Sequence, residues 1–151
     1  MATLLTHNWW VPYLGKPWKA NPAPPQSYNC GELARRVLHD QAGIDCPAIL
    51  VADAESRLAC ARAMQPDVYG LLPLPEGEKP RSLDVAFLGH RMAMLHCGIG
   101  VETFEGLRIL HCTETRAGTI LESLPVLALT GFPRVRWFRH RSLFGEDVLC
   151  G

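Results

Sequence analysis

The sequence carries no excess of charge. Its 15 Lys and Arg balance 15 Asp and Glu, with six of each sign up to residue 75 and nine of each after it. Without a basic arm or an acidic tail, the chain does not read as a general nucleic-acid binder. It also lacks any apolar run near the ~18 residues a helical membrane span requires. The longest runs, around Ala48–Ala52 and Leu124–Leu129, are far shorter. Residues 1–10 place no cationic group ahead of an apolar segment, so no secretory signal is expected. The six cysteines, at 30, 46, 60, 97, 112 and 150, include no Cys-x-x-Cys pair. Without a secretory context a disulfide framework is not expected, and buried free thiols are the default for most of them. Repeats and low-complexity segments are absent. These absences predict a soluble chain made in the cytoplasm, with no membrane insertion.

What is present is enough for one core. At 151 residues and 48% hydrophobic composition, residues 1–151 are expected to form a single domain that buries roughly 68–70% of its unfolded surface. Residues 1–27 hold five of the twelve prolines and three of the four tryptophans. They read as an irregular leader anchored by aromatic side chains. From Tyr28 the pattern becomes helical, with Leu33, Val37 and Leu38 on one face. Asn29 is the expected N-cap, Glu32 completes a box-like start and Gly43 ends the helix. A second helix is expected from an N-cap at Asp53 to about Met64, before Gln65-Pro66. Residues 66–80, with four prolines and two glycines, read as a long loop. Then the period shortens. Leu83–Leu88, Met92–Val101, Leu107–Thr113, Thr119–Ser123 and Val135–Arg139 read as strands with glycines at the turns. Helices followed by a run of antiparallel strands make an α+β chain.

Cys30 follows the N-cap directly, where unpaired N–H groups and the positive end of the helix dipole favour a thiolate. His96 and His111 are fifteen residues apart on consecutive strands joined near Glu105-Gly106. A hairpin of that length brings two imidazoles together on one face. Strand alternation sends Cys97 and Cys112, each next to a histidine, to the other face. Four groups split between two faces of one sheet cannot form a Cys₂His₂ zinc site, so no metal is expected. A helix-start cysteine and two strand histidines fit a nucleophile, a base and a group that orients the base. The segment 134–141 carries four arginines and a histidine with Trp137 and Phe138. Its alternating Arg134 and Arg136 describe a solvated strand face more simply than a nucleic-acid contact. His7, His39, His90 and His140 read as surface residues, and Cys46, Cys60 and Cys150 as bystanders.

Five segments occur in a family's order: Tyr13-Leu-Gly-Lys-Pro-Trp18, Asn29-Cys30 opening an amphipathic helix, Leu83-Asp-Val-Ala-Phe-Leu88, the His96-Cys-Gly-Ile strand and the Leu110-His111 strand. Over about residues 9–140 the chain resembles the NlpC-type cysteine peptidases, papain-like enzymes that cut cell-wall peptides, and most resembles the branch found in bacteriophage tails. The resemblance implies a papain-like α+β fold, with N-terminal helices packed on an antiparallel sheet. It implies Cys30 as nucleophile, His96 as base and His111 as the group that orients His96. Tyr13 falls where the family often keeps a tyrosine that binds substrate or steadies the oxyanion; an aromatic anchor is the other reading of that residue. The chain departs from the family in having Asn29 and Glu32 where Asp and Gly are usual. The implied substrate is a peptidoglycan stem peptide, with no cofactor. The implied partners are other phage tail proteins, and the implied location is the virion tail acting at the host wall. A non-catalytic tail-tip protein on the same fold and an acyltransferase remain the alternatives.

Overall fold

The computed structural model describes residues 2–47, 65–90, 93–116 and 118–150. The expected helix from Asp53 to Met64 lies outside the described residues, as does Cys60. Helix α1 (Cys30–Ala42) begins where its caps dictate: the Asn29 side chain accepts the Glu32 N–H at 2.8 Å. Gly43 ends it in the left-handed region at φ 66°, with its N–H on the His39 carbonyl. Only half of the expected box forms, because the Glu32 carboxylate turns to Arg35 at 3.3 Å. Leu33, Ala34, Val37 and Leu38 bury one face of α1.

The described residues form eight strands: β1 (Ala2–Leu5), β2 (Leu71–Pro73), β3 (Val85–His90), β4 (Ala93–Thr103), β5 (Gly106–Thr113), β6 (Gly118–Ser123), β7 (Arg134–His140) and β8 (Asp147–Cys150). Six form an antiparallel sheet in the order β2-β7-β3-β4-β5-β6. The strands expected from alternation are β3 to β7, displaced by two residues at most at either end. The largest displacement is at β3, which starts at Val85 because Leu83 is turned to φ 73°. Three strands were not expected. β1 and β8 pair in parallel between the two ends of the chain, and β2 lies inside the segment read as a loop, after a 3-10 turn at Pro66–Tyr69. A short helix, α2 (Leu124–Leu129), forms from the apolar run after β6. No helix among the described residues is long and apolar enough to cross a membrane. The architecture is α+β.

The sheet separates two apolar clusters. The larger holds α1 with Val85, Phe87, Cys97, Ile99, Leu110, Cys112 and Phe138, together with Trp9, Tyr13 and Tyr28 from the leader. Aromatic anchoring of residues 1–27 is therefore observed, and the leader also pairs with the sheet: Gly15 N–H donates to the Thr119 carbonyl and Thr119 N–H to that of Lys16, both at 2.9 Å. The smaller cluster, on the opposite face, gathers Ala86, Leu88, Ile109 and Leu127, with Phe132, Val135 and Trp137 at its margin.

Candidate active site

The site lies where β4 and β5 part. The two strands pair from Thr103↔Gly106 to Ile99↔Leu110, and beyond that point His111, Cys112 and Thr113 pair with β6. The residues before Ile99 on β4 pair with β3. Helix α1 packs against both strands, and the Cys112 thiol donates to the Tyr28 carbonyl at 3.4 Å just ahead of the helix. Cys30 is thereby held half-buried in the first turn of α1, within reach of β4.

The two histidines share a face, as alternation requires. The His96 Nε2 and His111 Nδ1 atoms are 2.8 Å apart in one hydrogen bond, and the rings meet edge to face at 77°. Phe132, in the turn after α2, stacks on His96 with centroids 5.0 Å apart and 18° between planes. Both imidazoles are buried. Gly98 makes the approach possible. A methyl group there would stand 2.5 Å from Ile109 Cγ2, 2.8 Å from the Leu110 carbonyl and 3.1 Å from His111 Cβ.

Protonation follows from these contacts. Hydrogen bonding from Cys97 draws the Cys30 thiol well below its ordinary range, and hydrogen bonding and charge at His96 add to this; burial opposes them and loses. The Cys97 thiol is pushed well up, first by its hydrogen bond to Cys30 and then by burial. The two shifts run in opposite directions, so Cys30 is the readier of the two thiols to ionise, with Cys97 as its donor. His111 is pushed down to about 3 by burial, with His96 and Arg116 adding in the same direction, so it is neutral at ordinary pH.

The structure brings Cys30, His96 and His111 together and leaves Tyr13 out. The Tyr13 hydroxyl donates to Asp40 Oδ2 at 2.9 Å and accepts from Gln41 at 3.1 Å. Asp40 is ten residues beyond Cys30 on α1, roughly 15 Å at 1.5 Å per residue. Burial raises the Tyr13 pKa first of all, and its ring sits in the large cluster. These contacts are those of an aromatic anchor, with the hydroxyl spent within the fold on Asp40 and Gln41.

Other expectations also change. Cys97 and Cys112 lie on the opposite face from the histidines and are fully buried, as alternation implies. Yet Cys97 is not a bystander, because it touches Cys30 where the helix start meets β4. His140 is buried with its Nδ1 2.7 Å from the Ser142 hydroxyl, and His39 pairs with Asp45 at 2.9 Å. Arg134 and Arg136 are exposed as expected, whereas Arg139 is buried. Two residues escaped the sequence reading. Phe132 gave no signal, but Glu122 had one: on β6 it is an acidic residue in an apolar strand. Its Oε1 lies 3.3 Å from His111 Nε2. No protein-family model and no curated protein matches the chain.

Proposed function

We propose that the protein is a cysteine peptidase of papain-like, NlpC-type architecture, which hydrolyses an amide bond in peptidoglycan stem peptides as part of a phage tail. One observation carries the reading: a thiol in the first turn of a helix, drawn down in pKa beside an imidazole whose Nε2 is held by a second imidazole at 2.8 Å. That is the donor set thiol-mediated acyl transfer needs. The Cys30 thiolate attacks the carbonyl carbon, and the charge that develops on oxygen faces the Cys30 main-chain N–H, which a helix start leaves unpaired. His96, having taken the thiol proton, delivers it to the departing amine and leaves a thioester on Cys30. Water attacks that thioester as His96 accepts its proton, and the acid leaves with Cys30 restored. The peptide substrate and the tail setting are supported by the family resemblance of the sequence.

The test uses purified protein, peptidoglycan and free stem peptides, with products read by mass spectrometry. Release of fragments with new amine and acid ends, lost in Cys30→Ala, is expected. Transfer of the acyl group to an added amine in place of water would favour the acyltransferase. A folded chain that cuts nothing, with Cys30 alkylated no faster than the exposed Cys150, would leave the non-catalytic tail protein.

A further inference from the structure

Glu122 is buried in β6 at 6% exposure. Its Oε1 accepts from His111 Nε2 at 3.3 Å and pairs with Arg116 at 3.5 Å, and its Oε2 is buried with no hydrogen-bond partner among the described residues. Burying a carboxylate this way is costly, and Arg116, exposed at the preceding turn, offsets only part of the cost. The placement follows a diagonal across the strands. Ile120 is the residue opposite His111, so Glu122 is the same-face neighbour two positions on.

We infer that Glu122 is a positioning residue of this site: it fixes the tautomer of His111 and, through His111, directs the free nitrogen of His96 toward Cys30. The inference rests on the proposed roles of Cys30 and His96. A carboxylate can only accept, so the single N–H of neutral His111 must sit on Nε2. His111 Nδ1 is then bare and accepts from His96 Nε2–H across the 2.8 Å contact. That leaves His96 Nδ1 bare, and it is the one imidazole nitrogen able to take the thiol proton. Once it has done so, His96 donates from both nitrogens and nothing else in the chain of bonds needs to move. Without Glu122, the His111 proton can sit on Nδ1, forcing the His96 proton onto Nδ1, where it opposes ionisation of Cys30. Among the described residues, the titratable groups facing His111 and Glu122 are His96 from β4 and Arg116 from the turn before β6. Cys30 and Cys97 lie beyond His96, and α2 contributes apolar side chains only.

The imidazole nitrogens of the full ¹⁵N-labelled chain test this directly by NMR. Neutral His111 with its proton on Nε2 is expected; a proton on Nδ1, or an imidazolium at neutral pH, overturns the inference. The second measurement is the pH profile of Cys30 alkylation by iodoacetamide in Glu122→Ala and Glu122→Gln. In Glu122→Ala the midpoint should rise, and kcat for peptide cleavage should fall about tenfold or more at unchanged KM, part of the 10²–10⁴ a general base supplies. Glu122→Gln, whose amide oxygen still accepts from Nε2–H, should recover much of both. A Glu122→Ala protein that melts like the parent and keeps the parent alkylation profile overturns the role of Glu122 alone. A parent Cys30 that alkylates only in the ordinary thiol range overturns the proposed function itself. If Glu122→Ala does not fold, the His111 tautomer in the parent decides.

Discussion

Burial works against the Cys30 thiolate, while hydrogen bonds from Cys97 and His96 work for it and win. Cys97→Ala removes the strongest of these donors without touching His96. The pH midpoint of Cys30 alkylation should rise, and its labelling rate at neutral pH should fall. Cys97→Ser keeps a donor and should shift it less. Stopped labelling followed by peptide mass spectrometry separates Cys30 from the other thiols. His111 carries the opposite balance. Its folded pKa, about 3, lies below the 6.5 of a free imidazole, so between those values the unfolded chain binds the extra proton. Stability must then fall as pH drops through 6.5 toward 3. From pH 7 to pH 5 the loss is on the order of 1–2 kcal/mol, measurable by urea titration. His111→Phe should flatten that part of the profile.

Helix α1 shows how far local chemistry reaches. Asn29 and Gly43 were legible as its ends because a cap needs only the neighbouring turn. Strands β3 to β7 were legible because one period-2 pattern and a glycine at each turn recur through the second half of the chain. Strands β1, β2 and β8 were not. Each is three or four residues long and is held by a partner more than sixty positions away, so no local pattern announces it. Within β4, Gly98 carries the closest packing of the site. Gly98→Ala presses a methyl on the Leu110 carbonyl, which cannot yield as a side chain would. It should cost about 1–3 kcal/mol and lower cleavage by more than the lost stability explains, since it parts His96 from His111. Thermal melts alongside kcat measurements separate the two effects.

Across the whole molecule, the buried Arg139 ties β7 to the segment before β3. Its guanidinium grips Asp84 through two bonds of 2.7 and 2.9 Å and also pairs with Glu78. Arg139 is 2% exposed and Asp84 0%. Asp84 also accepts the Arg81 N–H at 3.0 Å, and the Arg81 side chain donates to the Leu143 and Glu146 carbonyls. The approach to β3, the end of β7 and the turn at Leu143–Glu146 thus share one polar cluster. Arg139→Ala strands a buried carboxylate and should cost about 3–5 kcal/mol, read as a lower urea midpoint. Replacing Arg139 and Asp84 together by apolar residues should recover part of that loss.

Caps, turn glycines and period-2 alternation, all read within a few residues, settled the α+β class, the start of α1 at Cys30, and the shared face of His96 and His111. Tertiary structure alone decided what meets across that face. The parting of β4 from β5 admits the helix start, which makes Cys97 a partner of Cys30. A diagonal step to β6 adds Glu122, and the turn after α2 adds Phe132. Tyr13 keeps its place in the order of segments yet spends its hydroxyl on the far end of α1. Neighbours along the chain are set by covalent spacing, whereas neighbours across a sheet depend on register and on where strands part. Those follow from how the whole core packs.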